Sequence, residues 1–315
     1  MSFRRGQLIY FVTVAEEGQI TRAAKKLHIA QPAMSQAIAQ LESQLGVELL
    51  RRHARGVSLT EAGEVFLAKA RIALDAEEDA ESTARSLARS AGGRVEMGFL
   101  STPPMMFAAH LFDAFSAARP DVTVAFRELQ FPVGSTVEWL GDVDVAMCFA
   151  ATPHVDIEMQ TLWDERRCVL LHRDHPLAAR SALTVADVLD EPFYGCHPSV
   201  DPVWAGFWTL DDHRGGAPQR LTQDRPINSL ELIATISSGR GRRAFSMTTA
   251  RTLASFMPEL VAVPLTDARP AQCALAWRAS QANPHVATFA QVARTLVDSV
   301  GEAPSPDAPT FERLD

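Results

Sequence analysis

The sequence predicts a mixed fold in three parts: a small helical head carrying a β-wing, one long helix, and a larger α/β domain at the C-terminal end. Three observations predict it. Apolar residues recur at helical spacing from Leu8 to Leu45, with only short turns between the runs. A proline-free stretch from Thr60 to Gly93 follows and carries seven-residue repeats. From Arg94 onward, strand-like and helix-like segments alternate.

In the head, Leu8, Phe11, Val12 and Ala15 fall on one helical face, and so do Ile20, Ala23, Ala24 and Leu27. A third helix starts after Gln31 with Pro32 in its first turn, where a missing N–H costs nothing. Its apolar stripe is Met34, Ile38, Leu41 and Leu45, and Gly46 ends it. So few residues separate the second and third helices that they must cross sharply, as in a helix-turn-helix. The stretch "VELLRRHARGVSLT" is apolar at both ends with a basic, glycine-containing middle. It reads as a small β-wing with Arg51, Arg52, His53 and Arg55 near the tip.

The long helix is capped by Thr60, with Glu61 and Glu64 in its first turn. Phe66, Ala73, Ala80 and Leu87 repeat every seven residues, interleaved with Ala70, Glu77, Ala84 and Ala91. The two series form the a and d positions of a coiled coil, which predicts pairing with a second copy of the chain. Gly92 and Gly93 then break the helix. Beyond them "RVEMGFLS", "VTVAFREL" and "VDVAMCFA" read as strands, and residues 104–119, 135–141 and 285–300 as helices. A mostly parallel sheet is expected. The proline-rich end, 301–315, reads as a disordered tail. The boundaries are therefore 1–60 for the head, 61–92 for the helix and 93–300 for the α/β domain.

Charge separates these parts. The net charge of the 315-residue chain is −8, yet residues 1–60 hold eight Lys and Arg against four Glu. A basic head on an acidic body suits a protein whose one end meets phosphate. No stretch is long and apolar enough to span a bilayer, and "MSFRRGQLIY" lacks the apolar run of a secretory signal, so a cytoplasmic protein without membrane partners is expected. Cys148, Cys168, Cys196 and Cys273 are scattered without a C-x-x-C pair and read as reduced structural thiols. No metal site and no cofactor is expected.

The third helix raises the question of function. Beside its apolar stripe it presents Gln31, Pro32, Ser35 and Gln36, polar or small but uncharged. Glutamine can pair with adenine at N6 and N7, and recognition helices present their N-terminal residues to the major groove. These four are the candidate base readers. Thr21, Arg22 and Lys25 are candidate phosphate clamps, and Arg55 a candidate for the minor groove.

These residues resemble the LysR-type transcriptional regulators. "L..F..VAEEG", "AA..L.IAQPAMS..I..LE..LG..L" and "LTEAGE" stand in that family's order and spacing over residues 8–70, and "HPLA" (175–178) and "DEPF" (190–193) extend the likeness. The resemblance implies a winged helix-turn-helix (all-α with a β-wing), a dimerising linker helix and a C-terminal α/β two-lobed, periplasmic-binding-protein-like effector domain. Lobe I would cover about 93–163 and 268–300, and lobe II about 164–267. It further implies double-stranded DNA and a small-molecule effector as partners, homodimers assembling into homotetramers, and RNA polymerase as a further candidate partner. Gln19 departs from the family's serine cap, Leu50 from its phenylalanine, and Arg242 and Ser246 from an aliphatic residue and a proline.

In two-lobed domains ligands sit in the cleft, at strand ends and helix N-termini. "FLSTPPMM" places Ser101 and Thr102 between a strand and a helix, where hydroxyls and free N–H groups can meet an anion. Gln130 and Phe131 end the next strand, and "CHPS" offers His197 and Pro198 from the second lobe. Arg243 is a candidate partner for a carboxylate. The expected function is a DNA-binding transcriptional regulator that senses a small anionic metabolite, and not an enzyme. The alternative is a solute-binding protein or enzyme on the same α/β body. Asp142 and Asp144 lack a matched base or metal ligand, and no catalytic triad is apparent.

Overall fold

A computed structural model describes residues 3–54, 56–100, 105–129, 140, 143–149, 155–193, 202–215, 245–247, 254 and 257–299. The chain divides into two compact units, Met1–Ser82 and Thr83–Asp315. This division falls inside the long helix. The reason is packing: Phe66 and Leu74 join the head's core, whereas Ser86 and Arg89 bond to the α/β domain.

In the first unit, α1 (Arg5–Glu17), α2 (Ile20–Lys26) and α3 (Gln31–Leu45) enclose Leu8, Phe11, Val14, Ala23, Ala24, Met34, Ile38 and Leu41. The buried face of α1 is rotated from the expected one, since Gln7 and Val14 are buried while Val12 and Ala15 are only half-buried. Gln7 is accommodated by bonding twice: its Oε1 accepts from the Arg4 N–H at 2.8 Å and its Nε2 donates to the Ala37 carbonyl. The helix α3 ends at Gly46, whose φ of 71° is the left-handed cap that an L side chain resists. Next, β1 (Leu50–His53) and β2 (Gly56–Leu59) pair antiparallel as the wing.

The linker helix α4 (Glu61–Ala91) starts under Thr60, whose Oγ1 accepts the Gly63 N–H at 2.9 Å. Part of the stripe expected to form a coiled-coil seam packs within the chain. Phe66 does not face outward: its ring packs edge-on against Phe11 at 5.3 Å and against Phe3 at 5.9 Å, and Ala70 is buried in the same core. Ala73, Ala80 and Leu87 are exposed, and the large apolar residues beside them on the free face are Val65 and Ile72. A heptad pattern alone does not say whether its stripe meets a second helix or the neighbouring core.

In the second unit, β3 (Arg94–Leu100), β4 (Thr123–Leu129), β5 (Val145–Phe149), β6 (Ile157–Glu165) and β10 (Ala271–Arg278) form a sheet of order β4-β3-β5-β10-β6. β3 runs parallel to β4 and β5, but β10 is antiparallel to β5 and β6. The sheet is therefore mixed rather than mostly parallel, because β10 arrives on the chain's return from the second sheet. Helices α5 (Met105–Ala118) and α8 (His285–Ser299) cover one face, with Phe107 against Trp163 and Phe115 against Phe289. The second sheet, β8-β7-β9, is antiparallel: β7 (Cys168–His172), β8 (Phe245–Met247) and β9 (Leu260–Pro264). Its own core includes Val169, Leu171, Leu183, Phe193, Leu210 and Val263, helped by the short α6 (Val185–Val188). A further helix, α7 (Pro202–Trp208), precedes a 3-10 turn at Asp211–His213. The chain crosses between the sheets at residues 166–167 and again at 265–270. Of the helix expected at 135–141 only Leu140 is among the described residues, and the tail at 301–315 lies outside them.

Candidate nucleic-acid interface

The turn between α2 and α3 is built by backbone bonds from Ile29 N–H to the Ala24 carbonyl and from His28 N–H to the Lys25 carbonyl. His28 holds a φ of 53°, a left-handed conformation that few residues other than glycine, Asn, Asp and His adopt readily. The turn lets Met34 and Ile38 of α3 pack inward while Gln31, Pro32 and Gln36 stay exposed and Ser35 half-exposed. Gln31 Nε2 donates to Ser35 Oγ at 3.0 Å across one helical turn. The candidate base readers thus form one continuous uncharged polar face at the N-terminal half of α3.

Basic groups flank that face. Thr21, Arg22 and Lys25 are exposed on α2, and Arg51, Arg52 and His53 are exposed on β1. Arg22 is held by Glu17, donating to its main-chain carbonyl with its carboxylate 3.8 Å away, and Lys26 donates to the same carboxylate at 3.0 Å. Phosphate contact by Arg22 therefore exchanges one partner for another. Arg55 lies outside the described residues.

Two devices seat the wing, and only the second left a signal in the sequence. Glu42, on α3, accepts the Leu49 and Leu50 N–H groups at 2.7 and 3.0 Å, so the third helix carries the first wing strand. Gly56 has a φ of 144°, and a Cβ there would lie 2.3 Å from the Gly18 carbonyl oxygen, which also accepts the Val57 N–H at 2.9 Å. The signal for Gly56 was the glycine itself, inside a basic turn.

In the α/β domain the candidate effector residues Ser101, Thr102, Gln130, Phe131, His197, Pro198 and Arg243 all lie outside the described residues. The described part shows instead a buried polar junction. The Asp144 carboxylate accepts Arg89 Nε at 2.9 Å, Arg89 Nη2 at 2.8 Å, Ser86 Oγ at 2.9 Å and the Glu96 N–H at 2.8 Å. These bonds seat the last two turns of the linker helix on the sheet. Glu96 in turn accepts Arg94 and Arg127. Cys148, Cys168 and Cys273 are buried free thiols, and burial pushes Cys148 up to about 12, far from a reactive thiolate. Cys196 lies outside the described residues.

A winged helix-turn-helix with an exposed polar recognition helix, joined by a long helix to a two-sheet α/β domain, defines a class of regulatory DNA-binding protein. The chain belongs to the LysR family: the profile described as bacterial regulatory helix-turn-helix protein, lysR family, matches residues 6–64, and the LysR substrate binding domain matches residues 88–298. It is 30% identical to the transcriptional regulator BudR of Raoultella terrigena over 90% of this chain and 98% of that one. It is 30% identical to the nitrogen assimilation regulatory protein nac of Escherichia coli over 80% and 81%. Against YybE and AlsR of Bacillus subtilis, each 32% identical, the match spans only 64% and 61% of their length. Among solved structures, a hydrogen-peroxide-bound mutant of Corynebacterium glutamicum OxyR aligns with a TM-score of 0.51 at 26% identity, covering 98% of this chain and 99% of that one. Full-length BenM aligns at 0.52 and 24%, covering 96% and 100%, a likeness of fold. The chain thus carries both domains of the LysR family, the helix-turn-helix head and the substrate binding domain. Among the described residues no helix is long and apolar enough to cross a membrane.

Proposed function

We propose that the protein binds double-stranded DNA operators sequence-specifically, reading bases through Gln31, Pro32, Ser35 and Gln36 in the major groove. Thr21, Arg22 and Lys25 grip phosphates, and Arg55 enters the neighbouring minor groove. One observation carries the reading: the exposed, uncharged face on α3 beside basic flanks on α2 and β1. The protein acts in the cytoplasm as a regulator and not as an enzyme, and RNA polymerase is a further partner. Two copies pair through the free face of α4, where Ala73, Ala80 and Leu87 lie beside Val65 and Ile72, and dimers join into tetramers. A small anionic metabolite binds between the lobes, held by Ser101 and Thr102 with Gln130, Phe131, His197, Pro198 and Arg243 around it. Support for the anion comes from the hydroxyl and N–H groups expected at the helix start after Thr102.

The test is a titration of a duplex selected from a random pool against an unselected duplex, at several salt concentrations. Gln31→Ala should cost about 1–3 kcal/mol on the selected duplex and little on the other. Lys25→Ala should weaken both and lower the salt slope by roughly one. Equal losses on both duplexes for Gln31→Ala would overturn the base-reading assignment.

A further inference from the structure

Among the described residues two chain crossings join the sheets of the α/β domain, and one buried side chain holds both. Arg167 stands in the first crossing, within a run of charged residues, "DERRC", yet its side chain is 0% exposed. Its Nε donates to the Arg269 carbonyl in the second crossing at 2.8 Å, and its own carbonyl accepts the Leu265 N–H at 2.9 Å. Its Nη1 donates to the Phe207 carbonyl of α7 at 2.8 Å, and Nη2 to the Asp212 carboxylate at 3.0 Å. The guanidinium also lies over the Phe207 ring, 4.4 Å from its centre.

The segment it grips is divided between the two cores. Trp208, with Ala205 and Phe207 beside it, packs into the apolar core of the five-stranded sheet. Two residues later Leu210, fully buried, packs into the core of the three-stranded sheet. The second anchor, Leu210, itself holds φ 63° and ψ 30°, a left-handed conformation unfavourable for a branched side chain. Such strain persists only where the surroundings over-determine it, and it gathers at switch regions.

We propose that residues 202–213 are a third connection between the lobes, and that Arg167 is its fulcrum. A fold with only two crossings can open by bending at both. Here any relative motion must either turn about Arg167 or withdraw Trp208 from the larger core. Arg167 is thus a positioning residue: it limits the arrangements among which an effector can choose, since a ligand shifts a population only between states that the domain can reach. This use rests on the sensor reading above, whereas the mechanical claim does not.

The experiment places nitroxide labels, carried by encoded amino acids, at exposed Asp113 on α5 and exposed Arg180 beside the three-stranded sheet. Labelled full-length chain is diluted into excess unlabelled chain, so that only distances within one chain are read, and no metabolite is added. Arg167→Met should broaden the distance distribution roughly twofold, as when one arrangement gives way to several. Asp212→Asn, which keeps shape and removes the ion pair, should broaden it less, and it decides the matter if Arg167→Met does not fold. Arg269→Ala removes a 73% exposed guanidinium that shares the Asp212 carboxylate at 3.0 Å but keeps the carbonyl that Arg167 binds, so it should broaden the distribution least of the three. A lower melting temperature with wild-type width in both Arg167→Met and Asp212→Asn would mean that the cluster only stabilises the fold, and would overturn the proposal. If the width responds but no metabolite alters operator binding, the fulcrum stands and the sensor reading falls.

Discussion

The ion pairs of the head join solvated side chains: Arg5 with Glu77, Lys26 with Glu17, and Arg71 with Glu16 are each at least a quarter exposed. In the α/β domain the Asp144 and Arg167 side chains are both 0% exposed. The difference follows from what each unit must do. The head needs a stiff apolar core and a charged surface free to exchange partners with phosphate. The α/β domain has joints, where the linker helix docks and where the chain crosses between sheets, and apolar packing alone does not select one geometry there. Buried charges with several fixed donors do.

Removing one side of such a joint is the strongest way to break the comparison. Asp144→Ala would strand Arg89, whose side chain is only 14% exposed, and leave Ser86 and the Glu96 N–H without their carboxylate. A loss of about 3–5 kcal/mol is expected in urea titration of the full chain, followed by the tryptophans, four of which lie in the α/β domain's described residues. A loss under about 1 kcal/mol would show that the joint behaves like a surface pair.

The head has its own sensitive point, and it is steric rather than ionic. Gly56→Ala sets a Cβ 2.3 Å from the Gly18 carbonyl and forces an L residue to φ 144°. A cost of about 2–3 kcal/mol is expected, with weaker binding to DNA of any sequence as the wing moves. Unchanged thermal unfolding and unchanged DNA affinity would show that the wing is not seated on the α1–α2 turn.

These two positions also mark what the sequence made legible. The head's helices follow from periodicity because each needs one apolar stripe, and Met34, Ile38 and Leu41 are buried as that stripe requires. Phe66 obeyed the same rule but was assigned to a second chain, since spacing identifies a stripe and not its partner. Asp144 was visible as an aspartate without a base or metal, and its true partners lie 48, 55 and 58 residues away in sequence. Arg167 stands in a charged run, and nothing in that run sets it apart from its neighbours. Long-range pairing of buried charges leaves no local period to read.

Glu165 sharpens the contrast through pH. It ends β6 at the first crossing, and burial raises its carboxyl from 4.5 to about 7, while the Trp163 indole N–H at 3.3 Å pulls the other way. The folded state therefore holds the proton more tightly than the unfolded chain does. Its stabilising contribution is complete below about pH 4.5, is lost as pH rises toward 7 and is absent above. Glu165→Gln should remove that slope and stabilise the protein at pH 8 by about 1–2 kcal/mol. Denaturation midpoints from pH 4.5 to 8 check it, and parallel curves for the two proteins would place the proton elsewhere.

The smallest effect belongs to the head's surface. Arg71 of the linker helix donates to Glu16 of α1 at 3.1 Å, with side chains 50% and 33% exposed. Lys26 stands 3.9 Å from the same carboxylate, so Glu16 keeps a cationic neighbour when Arg71 is lost. Water competes for both partners, and ordering two long side chains offsets much of the attraction. A double-mutant cycle with Arg71→Met and Glu16→Gln should give a coupling of about 0.2–1 kcal/mol. Because solvated charges are screened, the coupling should fade in ~1 M salt, where the Debye length is about 3 Å. The Asp144–Arg89 coupling, measured in the same way, should largely persist there, since the Asp144 carboxylate is fully buried and screened much less. If the Arg71 cycle survived high salt at full strength, the head would also be using charge as structure, and the division drawn between the two units would not hold.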